Sequence, residues 1–417
     1  MCLRAVKNTR HKKISKLELT HLPYARTLQE YQTALDRYLK QAARTKGVKA
    51  VYQVGSFGSV SVPGISDIDL VLIVDEKITN KEISKLSLHN LSEDDQDIFL
   101  HNPWVVTVQT SAIFFETNYI TNLVKVYGEN CGLKIQDGLS NTYQRWALTL
   151  EYAPWYIFCI QDWLSRSNVD VRWALPVLRS IKYLLEINSD LKTRFYMEWQ
   201  DHADGIELLC DNWFNFSDNE LAIMLESVLQ KAWKIVVDLV WTRDAELTTT
   251  SQFIIERERQ KPGNLAYSSN ESYIVKEEKP KDWKSNEDAT LFYPLPPSCL
   301  LMLDVYQTTG GLLAKFLSTL SPNCWSGLQP NTEFEFYLAK RAKLINEHIE
   351  FLNSKNIDFG HTTTPFVFNP YVLKNKSIVT RTKKRIWMLL PHKSIERGRR
   401  SCHFMRGEAP ADRSYVV

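Results

Sequence analysis

Asp67-Ile68-Asp69-Leu70-Val71-Leu72-Ile73-Val74 constrains the fold more than any other stretch of this 417-residue chain. A nearly unbroken Ile/Leu/Val series over residues 68–74 suits a strand buried on both faces, because a half-exposed strand alternates apolar with polar. The two aspartates at its start are two residues apart, so on a strand both carboxylates leave the same face. Side by side and rigidly held, they repel unless a cation sits between them. Oxygen ligands of this kind suit Mg2+ (or Mn2+), which bridges protein carboxylates to substrate phosphates.

The flanking sequence places this strand in a small α+β unit over residues 20–135. Leu28, Tyr31, Leu35, Tyr38, Leu39 and Ala42 recur at helical spacing within residues 24–44, and Gly47 closes that helix. Residues 48–54 are short and β-prone, and the Gly/Ser-rich stretch after them reads as a turn into a helix. A short helix is expected over 81–90, and further strands over 97–100 and 123–127, the second ending at Gly128.

Gly55 and Ser56 follow the first strand. A glycine lets backbone approach a phosphate closely, and the Ser56 hydroxyl with nearby N–H groups can donate to phosphate oxygens. A phosphate cradle with paired carboxylates equips a metal-assisted phosphoryl or nucleotidyl transfer site. No Gly-Lys-Ser/Thr follows the glycines, so this is not a Walker loop. The spacing does not fit a dinucleotide fingerprint either.

The pattern Val54-Gly55-Ser56, ten residues from Phe57 to Ser66, then Asp67-Ile68-Asp69-Leu70 resembles the signature of the DNA polymerase β-like nucleotidyltransferases. Its Ser-Asp-Ile-Asp-Leu run, after a short loop containing Pro63, also resembles that of non-canonical poly(A) and terminal nucleotidyl polymerases. The resemblance covers about 110 residues, of which about 20 carry the signature. It implies a mixed-sheet catalytic core with a mainly α-helical domain after it. It further implies an NTP, ATP foremost, held by Gly55, Ser56 and Ser66, with Asp67 and Asp69 as catalytic metal ligands. The acceptor hydroxyl would belong to a small molecule or protein; the alternatives are a terminal RNA nucleotidyltransferase or an inactive nucleotide-binding scaffold. Active members add a third carboxylate on a neighbouring strand. Here Asp97 is the first candidate, with Glu116 and Glu129 as alternatives, while Asp75 reads as a solvated strand end.

Beyond residue 135 the periodicity is helical, and residues 136–370 are expected to form the second domain. Helices are expected over 142–164, kinked at Pro154; over 171–187, starting at Pro176; and over 217–240, behind a Ser217/Glu220 capping box. Thr332 and Glu335 make another such box. Residues 256–290, charged and polar, read as an exposed loop. Trp146, Trp155, Tyr156 and Trp163 read as helix-packing core, Arg172, Arg179 and Lys182 as a solvated helix face, and His89 and His101 as surface or packing histidines.

The net charge of +3 selects no partner, but its distribution is uneven. Residues 1–16 carry Arg4, Lys7, Arg10, Lys12, Lys13 and Lys16 without an acid, and the tail 371–417 is again basic, from Arg381 to Arg400 and beyond. Such ends read as solvated tails that can meet RNA. The seven cysteines are odd in number and lack zinc-site spacing. With no apolar leader and no span-length apolar run, a soluble cytoplasmic protein is expected.

Overall fold

The computed structural model describes residues 17–55, 57, 63–133, 141–166, 168–191, 196–247, 265–268, 272–276, 290–293, 297–314 and 332–355. The fold is α+β, mostly helical around a small mixed sheet. β1 (Glu18–Thr20), α1 (Leu28–Ala43) and β2 (Val48–Val54) lead into β3 (Asp69–Val74). Then come α2 (Asn80–Ile83), α3 (Glu93–Phe99), β4 (Trp104–Thr107), α4 (Ser111–Thr117) and β5 (Leu123–Gly128). The sheet order is β4-β3-β2-β5. β2 runs antiparallel to β3, with Val54 opposite Asp69, and β4 runs parallel to β3, with Trp104 opposite Val71.

Both faces of β3 are covered, as its composition requires. Leu70, Leu72 and Val74 share one apolar cluster with Tyr31, Ala34, Leu35, Tyr38 and Ala42 of α1. Val71 and Ile73 point the other way, into a cluster shared with later helices. Each such burial contributes about 1.5–3 kcal/mol, which fixes the strand whose first residue is Asp69. The start of α1 is fixed locally: Thr27 and Glu30 form a capping box.

Residues 97–99, expected to begin a strand, are instead the last turn of α3. Ser92 caps it by accepting from the Asp95 N–H at 3.2 Å, and Glu93, Asp94 and Asp95 place negative charge at its dipole's positive end. The cap outweighs the apolar trio that suggested a strand, and the strand forms a few residues later as β4. Residues 81–90 hold the end of α2, capped by a Thr79/Glu82 box, and two single 3-10 turns.

α5 (Thr142–Arg166) passes through Pro154 as one helix. β6 (Asn168–Asp170) pairs in parallel with β1, and α6 (Val171–Ile187) begins directly after it, five residues ahead of Pro176. The Arg172 N–H donates to the His21 carbonyl, which gives α6 a tertiary start rather than a proline start. α7 (Tyr196–Asp211) was not anticipated, whereas α8 (Asp218–Leu247) follows the expected Ser217/Glu220 cap. β7 (Leu265–Ser268), β8 (Ser272–Lys276) and β9 (Thr290–Tyr293) make an antiparallel sheet where an exposed loop was expected. Their Tyr, Ile, Val and Phe residues favour strands despite the charged surroundings. α9 (Pro297–Thr308) and α10 (Thr332–Ser354) complete the described helices.

A buried ion pair ties α5, α9 and α10 together. Arg341 Nε lies 3.1 Å from Glu151 Oε1, to which the Tyr306 hydroxyl donates at 2.7 Å. Burial pushes the Glu151 carboxyl up from its ordinary range, opposed by Arg341. No helix among the described residues is long and apolar enough to cross a membrane. Among the described residues, Cys131, Cys159, Cys210 and Cys299 form no disulfide.

Candidate functional site

Asp67, Asp69 and His101 converge where β3 begins, each offering a ligand atom within 4.8 Å of the others. Asp67 lies just before the strand and Asp69 is its first residue. His101 follows α3 and precedes β4. Its Nε2 is 2.6 Å from Asp69 Oδ1 and 3.8 Å from Asp67 Oδ2. Two ligands at right angles on an ion at about 2.1 Å stand about 3.0 Å apart, so this donor set fits one small divalent cation once Asp67 Oδ2, now 3.8 Å from the ring, moves in by about 0.8 Å.

Backbone geometry sets up this convergence. Gly55 ends β2 with φ +78°, and a Cβ there would stand 2.3 Å from Asp69 Oδ2. Glycine is required because the Asp69 carboxylate folds over that α-carbon. On the other side, Leu100 holds φ 55°, a conformation costly for a branched residue, and it turns the chain so that His101 faces the aspartates. Asn102 secures the turn by accepting from the Leu88 N–H at 2.8 Å, and the His101 ring packs edge-on to Trp104 at 5.1 Å.

The electrostatics are those of crowded like charges. Burial, and next the Asp69 carboxylate, push Asp67 up to about 7, opposed by His101 and Arg172. Burial alone would lower the His101 value; its hydrogen bond to Asp69 and both carboxylate charges outweigh this, so the net shift is upward. On α6, the Tyr183 phenol is pushed to about 12 by burial and then by Asp69.

The loop leading into the motif is braced from behind. Tyr31 Oη donates to the Ser66 carbonyl at 2.5 Å and accepts from the Gly64 N–H at 3.0 Å. Arg172, 1% exposed, donates to the carbonyls of Ile65, Ser66 and Asp97 at 2.6, 3.1 and 2.8 Å. Arg179 donates to the Ser66 hydroxyl at 2.9 Å. Both arginines, expected on a solvated face, are therefore buried supports of the motif; Lys182 pairs with Glu207.

The sequence candidates separate accordingly. Gly55, Asp67 and Asp69 come together, and Ser66 sits beside them with its hydroxyl engaged by Arg179. Ser56 lies outside the described residues. Asp97 is not in the group: its carboxylate lies 3.1 Å from Arg26 and 3.2 Å from His21, which together with Arg172 hold it at about 2 against the effect of burial. Glu116 is engaged by Tyr337 and Arg341. The Glu129 N–H donates to the Lys49 carbonyl, six residues back along β2 from Gly55, about 20 Å at the usual rise. Asp75 is a half-exposed strand end beside Lys49 at 3.7 Å. Trp146, Trp155, Tyr156 and Trp163 are buried core.

His101 is the site residue that sequence reasoning undervalued. A single histidine after an apolar trio carries no spacing signal, and only the Leu100 turn brings it to the aspartates. No family model matches this chain, and no curated protein matches it.

Proposed function

We propose that this chain is a metal-dependent nucleotidyltransferase that moves an NMP from an NTP, ATP foremost, to an acceptor hydroxyl with release of pyrophosphate. The observation that carries this reading is the placement of Gly55 against Asp69, with Asp67 and His101 converging on the same point. A glycine closely approached by Asp69 and a cation-binding pair thus share one end of the sheet. A polymerase β-like core over 20–135 fits this arrangement, because Gly55 follows β2, Asp67 precedes and Asp69 begins the adjacent β3, and β4 runs parallel beyond them. In that reading residues 136–370 are the helical domain and 371–417 a basic tail.

Asp67 and Asp69 would hold Mg2+ or Mn2+, which supplies charge neutralisation on the triphosphate. The chain's own contribution is position. Gly55 leaves room for the Asp69 carboxylate to fold over its α-carbon, and Tyr31, Arg172 and Arg179 keep the 64–67 turn from moving as charge develops. The acceptor oxygen gives up its hydroxyl proton to solvent water and attacks the α-phosphorus, the bond from the α-phosphorus to the α–β bridging oxygen breaks, and pyrophosphate leaves with that electron pair. A small-molecule or protein acceptor suits the modest net charge, and RNA reached through the basic ends is the alternative. The chemistry fits a cytoplasmic protein supplied with NTP.

One observation favours an inactive, nucleotide-binding reading: β4, the strand parallel to β3, reads Trp-Val-Val-Thr and offers no carboxylate. The test is incubation with α-labelled NTPs, Mg2+ or Mn2+, and cell extract divided into protein, RNA and small-molecule fractions. Label in one fraction with wild type and none with an Asp67→Asn, Asp69→Asn variant supports transfer. Metal-dependent NTP binding without label in any fraction would instead establish the inactive reading.

A further inference from the structure

We propose that His101 is the third metal ligand of this site, in the place where a carboxylate would otherwise stand, and that the site therefore selects Mn2+ over Mg2+. The inference rests on the reading of Asp67 and Asp69 as metal ligands.

The ring is oriented for ligation. His101 Nδ1 lies 2.8 Å from the Asn102 carbonyl, which only accepts, so Nδ1 carries a proton and donates it there. A backbone carbonyl on the far nitrogen is the usual device that fixes the tautomer of a metal-binding histidine and turns Nε2 to the ion. Here Nε2 is the atom that faces both carboxylates. The ring cannot easily turn away. It is 5% exposed, packs edge-on to Trp104, and hangs from a backbone turn fixed at Leu100 and Asn102.

Donor chemistry then sets the preference. Mg2+ demands oxygen ligands in near-ideal octahedral geometry and sheds water reluctantly. Imidazole suits the transition metals, and Mn2+ also accepts carboxylates, so two carboxylates and one imidazole favour it. No acid on β4 competes for the third position, and this is the one group of three or more candidate ligands found among the described residues.

The experiment is electron spin-echo spectroscopy of Mn2+ added to the full-length protein, with parallel titrations of Mn2+ and Mg2+. Wild type should show a directly bound 14N that becomes 15N on labelling the histidines, a readout that needs no substitution. His101→Ala should lose that coupling and weaken Mn2+ about 10- to 100-fold while changing Mg2+ affinity about threefold or less. His101→Asp should also lose the nitrogen and narrow the Mn2+/Mg2+ affinity ratio about tenfold or more. Mn2+ bound without nitrogen coupling, in a protein whose binding is abolished by Asp69→Asn, would overturn the role of His101 and leave the aspartate site standing. Mn2+ binding unaffected by Asp69→Asn would overturn the site itself and this proposal with it.

Discussion

Replacing Asp67 by Asn should stabilise the metal-free protein, by an amount that grows with pH. Burial and the Asp69 charge raise the Asp67 carboxyl from 3.8 to about 7 in the folded chain. Between those values the folded state keeps a proton that the unfolded state has released, so stability falls as pH rises through that window and is level above it. A shift from 3.8 to about 7 amounts to about 4 kcal/mol at pH 8, about 2 kcal/mol at pH 5, and almost nothing at pH 3. The Asn amide carries no charge at any of these. Because His101 also serves Asp67, the expected gain at pH 8 is about 2–4 kcal/mol. The assay is urea unfolding of both proteins in a chelator at the three pH values. A gain that does not change with pH, or an Asn variant less stable than wild type at pH 8, would refute the reasoning. Adding Mn2+ at a hundred times its Kd should stabilise wild type by about 2.7 kcal/mol and leave the variant nearly unmoved.

Other substitutions probe the supports of the site. Gly55→Ala would place its Cβ 2.3 Å from Asp69 Oδ2 at φ +78°. Thermal unfolding should show a loss of about 1–3 kcal/mol, and calorimetric titration a Mn2+ affinity reduced about tenfold or more. Arg172→Ala removes donors from three carbonyls, costing about 3 kcal/mol at about 1 kcal/mol per bond, and should lower turnover more than NTP affinity. Arg341→Met strands the buried Glu151 and should cost about 3–5 kcal/mol in denaturant unfolding, most of which an added Glu151→Leu should recover.

What could be read beforehand was whatever local pattern decides. The continuous apolar run after Asp69 can only be a strand covered on both sides, and the Ser217/Glu220 box marks a helix start wherever the rest of the chain goes. Residues 97–99 went the other way because a Ser cap and three acids in the first turn outweigh three apolar side chains. Pro176 failed as a start signal because β6 pairs with β1 and starts α6 earlier. In the site, the convergence of Gly55, Asp67 and Asp69 is legible from their spacing, although Asp67 stands just before the strand and it is the Asp69 carboxylate that approaches Gly55. His101, Arg172 and Arg179 are not, since their roles depend on an unusual Leu100 backbone and on carbonyls and a hydroxyl about 75 or more residues away.

The central claim is that this site cuts an NTP between its α- and β-phosphates. The most direct measurement compares the products from α-labelled and γ-labelled NTP in one preparation with Mn2+ and the acceptor fraction. γ-Label should be released only as pyrophosphate and α-label should appear on the acceptor, with both lost in Asp67→Asn. Release of γ-label as inorganic phosphate, or its appearance on the acceptor, would contradict the claim.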